Sequence, residues 1–151
     1  MDAGDRKGGR RRFAAAQSLL GGKTSPANFY WGSCDLALTR FSGRLAPPRE
    51  GPAFMRDAYS HEVISHGFWP GNAAVPEAVF YAYAVPEPAG LKDFRALPPA
   101  AYYLGEMGEF ILPYEAVRTS ASPADTLASF IESTYAQAAT LGGWDRAALE
   151  R

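Results

Sequence analysis

Across residues 28–112 short β-patterned runs follow one another, separated by Pro/Gly clusters, and no helix-length apolar stripe falls between them. A parallel pair would need a long crossover, usually a helix, so successive runs of this kind pair antiparallel. Residues 28–41 (NFYWGSCDLALTRF) carry period two: Tyr30, Cys34, Leu36 and Leu38 share one face, and Trp31, Ser33, Asp35, Ala37 and Thr39 the other. Residues 43–56 are too rich in Pro and Gly for a central strand and read as a loop. A second strand is expected over 59–69, closed by Pro70-Gly71-Asn72. A third is expected over 79–85, apolar on both faces and therefore central. Residues 102–104 and 109–112 flank a short hairpin connection, GEMG.

One long helical pattern ends this series. Ser122 is a good N-cap and Pro123 suits the first helical position. Leu127, Phe130, Ile131, Tyr135, Ala138 and Leu141 then form one apolar stripe up to Gly142-Gly143. Asp145 caps a final short turn. Residues 10–20 have the spacing of an N-terminal helix. The fold expected is α+β: a mostly antiparallel sheet of about five strands, a C-terminal helix packed on one face, and a looser N-terminal helix. Its 151 residues suit one domain, here 13–151 behind a flexible basic leader at 1–12.

Charge excludes several classes of function. The leader carries five positive and two negative side chains, while the rest is at -4, without a second basic patch. Nucleic-acid binding is therefore not expected. No run approaches the roughly 18 apolar residues of a membrane span, and no signal peptide follows the basic start. The expectation is a cytoplasmic domain. A single cysteine, Cys34, rules out an internal disulfide framework; between apolar neighbours it reads as a small core residue.

The string Tyr59-Ser60-His61-Glu62-Val63-Ile64-Ser65-His66 glances at HExxH, but the histidines stand five apart. That spacing puts them on opposite faces of a strand, or roughly 140° apart on a helix, so no metal site is expected. No nucleophile elbow, P-loop, dinucleotide fingerprint or calcium loop occurs, and no cofactor is implied. Two polar strings interrupt the apolar strands, GSCDLALTRFSGR and YSHE. His61, Glu62 and Asp35 are the catalytic candidates, since imidazole and carboxylate move protons. Arg40 and Arg44 would hold an anionic group or pair with Asp35, which otherwise sits on a solvent face. Trp31, Tyr59 and Trp69 would stack on a small-molecule ligand. This expectation requires Asp35, Arg40 and His61 to converge in one pocket.

Five segments in order, FYWGSCDLALTRFSGR (29–44), YSHEVISHGFWPG (59–71), FYAYAVPEP (80–88), GEFILPYEAVR (108–118) and FIESTYAQAATLGGWDRAALE (130–150), resemble an uncharacterised bacterial family, the domain of unknown function numbered 5996. The resemblance runs from about Lys23 to the C-terminus. It implies a fold and no reaction. Family members are longer, with a further β-rich segment and a helix upstream, so the chain resembles their C-terminal part. The family often has histidine where Asn28 stands, a partner His61 would lack, and phenylalanine at Cys34, a core type. A rival to ligand binding follows: a non-catalytic module whose exposed apolar face docks an absent N-terminal half.

Overall fold

The computed structural model describes residues 22–150; the expected leader and the expected N-terminal helix lie outside them. Six strands form one antiparallel sheet: β1 (Asn28–Tyr30), β2 (Asp35–Leu45), β3 (His61–Trp69), β4 (Val79–Val85), β5 (Tyr102–Leu104) and β6 (Glu109–Pro113). Their spatial order is β1-β2-β3-β4-β6-β5. The helices are α1 (Ala53–Ala58), α2 (Tyr114–Arg118), α3 (Pro123–Leu141) and α4 (Arg146–Leu149). The α+β expectation is met, with one strand more than about five. β4 lies inside the sheet, as its two apolar faces require.

Pairing register sorts the side chains. Leu36 faces Phe68, Leu38 faces His66 and Arg40 faces Ile64. On the next pairs Ile64 faces Ala84, His66 faces Ala82, and Phe68 faces Phe80. Phe80 meets Leu112 and Ala82 meets Phe110. This face receives α3, whose Leu127, Phe130, Ile131, Tyr135, Ala138 and Ala139 complete the main core. The expected stripe is thus the packed one, except that Leu141 is exposed. Each fully buried Phe or Leu contributes about 1.5–3 kcal/mol, so the face of the sheet that α3 covers carries much of the stability.

Three polar side chains, His66, Thr134 and Arg40, are buried in that core. His66 is fully enclosed, and its Nε2 lies 2.9 Å from the Thr134 hydroxyl. That hydroxyl donates to the Phe130 carbonyl at 2.7 Å, so it accepts from His66 Nε2–H and fixes the tautomer. Burial, and then the charge of Arg40, hold the imidazole well below its usual pKa. Arg40 lies over the Tyr135 ring, 4.4 Å from its centroid, and desolvation lowers its pKa to about 10.

The structure corrects the reading of 28–56. The continuous strand expected over 28–41 is a hairpin: residues 31–34 turn, and Cys34 takes a left-handed φ of 56° there. Cys34 is consequently exposed, its thiol directed at the Trp31 carbonyl, and is no core residue. Alternation counted straight through the turn had placed it with Leu36. The expected loop from 43 yields the end of β2, reached through an irregularity after Phe41, and the six residues of α1. Ser122 is the N-cap residue of α3 with Pro123 following, but its hydroxyl bonds the Asp125 carboxylate instead of a backbone N–H. Asp145 does cap α4, accepting from the Ala148 N–H.

Candidate functional site

The face of the sheet opposite α3 carries the odd-numbered residues of β2, β3 and β4. Ala37, Gly67, Tyr81 and Ile111 form one cross-strand row, and Thr39, Ser65 and Tyr83 form the next. Over these rows lies a cleft of about 680 Å³. Its floor is Tyr81, Tyr83 and Trp69. One wall comes from residues 46–49 with Met55 and Tyr59, the other from Pro86, Glu87 and residues 107–109. The volume is in the range of small-molecule sites.

A gap in β3 makes the floor. Gly67 has no side chain, and the Tyr81 ring lies across it: a Cβ there would stand 2.2 Å from Tyr81 Cζ. Tyr81 thereby spans β3 and donates its hydroxyl to Asp35 Oδ2 at 2.5 Å. Ser33 donates to the other oxygen, Oδ1, also at 2.5 Å. Burial, reinforced by Asp35, pushes the Tyr81 phenol far up, so it remains a donor. Tyr83 stacks beside Tyr81, with centroids 6.0 Å apart and planes 17° apart. Its hydroxyl lies 3.3 Å from that of Tyr59, and burial followed by this contact raises its pKa.

Glu109 enters from β6. Desolvation, and then the charge of Asp35, raise its carboxyl to about 7. A carboxyl poised there exchanges a proton near neutrality, as a general acid or base does. Among the described residues Asp35 and Glu109 take part in none of the ion pairs. Nor do the described residues hold a group of three His, Cys, Asp or Glu side chains suited to a metal ion.

Of the eight residues singled out from sequence, Asp35, Tyr59 and Trp69 line this cleft. The others lie elsewhere. Arg40 is under α3, because five residues along a strand separate it from Asp35 and the two face opposite sides. Arg44 pairs with Glu62 at 2.8 Å and donates to the Gly142 and Gly143 carbonyls, tying β2 to the end of α3. His61 opens β3 beside Ser60, its Nδ1 3.1 Å from that hydroxyl. Trp31 is 84% exposed on the outer turn. The required convergence of Asp35, Arg40 and His61 therefore does not occur. The partners of Asp35 are a serine and a tyrosine, not an arginine. Tyr81, Tyr83 and Glu109 were missed as site residues. Their signal was present in part: Tyr81 and Tyr83 alternate in a strand that has two apolar faces.

The profile of a family of unknown function, DUF5996, matches residues 10–151. The chain belongs to this family. No curated protein and no solved structure matches it. For this DUF5996 chain the cleft geometry therefore supplies the functional argument. Among its described residues no helix is long and apolar enough to cross a membrane.

Proposed function

We propose that the chain binds a small molecule in the cleft over Tyr81 and Tyr83. One observation carries this reading: three tyrosines, a tryptophan and three carboxyls that join no ion pair among the described residues converge on a cavity of about 680 Å³, on the sheet face that α3 leaves open. Packed cores bury such residues against each other, and solvent faces do not gather them. Stacking surfaces and a carboxyl that titrates near 7 suit both recognition and proton transfer. Asp35, Tyr59 and Trp69 belong to this site with Tyr81, Tyr83 and Glu109. His61, Glu62, Arg40, Arg44 and Trp31 stand outside it.

Thermal-shift screening of a metabolite panel tests the reading. A ligand at about 100 times its Kd adds about 2.7 kcal/mol, which raises Tm by roughly 5–10 °C in a chain of this size. The shift is expected to vanish in Tyr59→Ala and Tyr83→Ala and to persist in Arg44→Ala. A panel without hits, or hits indifferent to the tyrosine variants, overturns it. The rival, a docking module, draws on a separate observation, the exposed Phe29, Tyr30 and Trp31 of the outer strand and its turn. It predicts that Trp31→Ala changes association behaviour while no metabolite shifts Tm.

A further inference from the structure

The polar surface of the cleft is lopsided. Among the described residues its carboxyls are Asp35, Glu87 and Glu109, and its one cationic side chain is Arg49. Several hydroxyl donors are already committed: Tyr81 and Ser33 to Asp35, and Tyr103, behind the wall, to Glu87 at 2.7 Å. What remains for a ligand is the Glu109 carboxyl, the open lone pairs of Asp35, the hydroxyl pair of Tyr59 and Tyr83, the Trp69 N–H and aromatic face. Arg49 does not neutralise the carboxyls by pairing. Its guanidinium lies over the Tyr59 ring, 5.1 Å from the centroid, so this wall already receives a cation on an aromatic face. The Glu109 carboxyl makes no side-chain hydrogen bond among the described residues, and the charge of Asp35 reaches it.

Resting on the reading that the cleft binds a small molecule, we propose that its ligand is an organic cation: a primary amine or guanidinium on an apolar body. The charged head sits between Asp35 and Glu109, and the body lies on Tyr81, Tyr83 and Trp69. An ammonium supplies a donor to the Glu109 carboxyl and balances two carboxyls that otherwise repel. An anion would face three carboxyls and one arginine already engaged with Tyr59. A neutral ligand would leave the Asp35–Glu109 repulsion in place.

Three probes of similar size and different charge decide the matter: benzylammonium, benzyl alcohol and benzoate. They are titrated into the 151-residue chain with amide shifts of cleft residues as the readout. Benzylammonium is expected to bind about tenfold tighter than the alcohol, and benzoate more weakly than either. Asp35→Asn and Glu109→Gln should each weaken benzylammonium severalfold and leave the alcohol within about twofold. Raised salt should weaken only the cation. Equal binding of the alcohol and the ammonium, or preference for benzoate, overturns the cation assignment while the small-molecule reading stands. Silence of the cleft resonances toward all three overturns both. If Asp35→Asn fails to fold, Glu109→Gln, which removes no hydrogen bond, carries the comparison alone.

Discussion

At the scale of single residues, Glu109 governs how the cleft responds to pH. Its carboxyl is raised from the ordinary 4.5 to about 7, first by burial and then by Asp35. The folded chain therefore holds this proton more tightly than the unfolded chain does. The stability linked to it is fully present below about pH 4.5 and is lost as pH rises through about 7. Glu109→Gln cannot ionise. It should match the wild type near pH 4 in urea unfolding and exceed it at pH 8 by about 1 kcal/mol, a figure reduced for the solvent that still reaches this half-buried group. Equal stability of the two at pH 8 would mean that Glu109 ionises without penalty. His66 has the opposite sign, since burial disfavours its charged form and works against stability only as pH falls below 6.5.

At the scale of elements, the missing side chain in β3 matters as much as any present. Gly67 is the slot through which Tyr81 of β4 reaches Asp35 of β2, across an intervening strand. A methyl group there would strike the ring at Cζ, Oη and Cε1. Gly67→Ala should cost about 1–3 kcal/mol, because the ring must swing away and surrender its hydrogen bond. In a Tyr81→Ala background the same substitution should cost far less. A double-mutant cycle by urea unfolding measures the coupling, and additive effects would show that the two positions do not meet. One wall of the cleft includes Met55 of α1, a helix without buried residues of its own. That wall stands only because β2 and β3 carry its ends.

For the whole molecule, one sheet separates two kinds of chemistry. The face against α3 is a dry core in which Phe110, Phe130 and Leu112 are essentially inaccessible. The other is aromatic and acidic. Stability and the cleft are therefore separable. Phe130→Ala should lower global stability by about 3–5 kcal/mol, since it opens a cavity between α3 and the sheet. Below its reduced Tm it should still bind the cleft ligand within about threefold. A variant that loses binding in parallel with stability would show that the two faces are coupled through the strands.

Much of this architecture was legible in the chain itself. The stripe at 127, 130, 131, 135 and 138 identifies the packed face of α3, and the two apolar faces of 79–85 make β4 an interior strand. Both are local periodicities, set by helix and strand geometry within a few residues. The same alternation already separated Asp35 from Arg40. The turn at 31–34 was hidden because its residues continue the alternation while the backbone reverses. Tertiary structure alone decided the site. Asp35 and Tyr81 meet because β3 lies between β2 and β4 with glycine at the crossing, and Glu109 lines the same cleft because β6, not β5, pairs with β4. Register follows from alternation and turn geometry, which are local, but strand order joins segments far apart in the chain and is settled only when the whole sheet packs against α3.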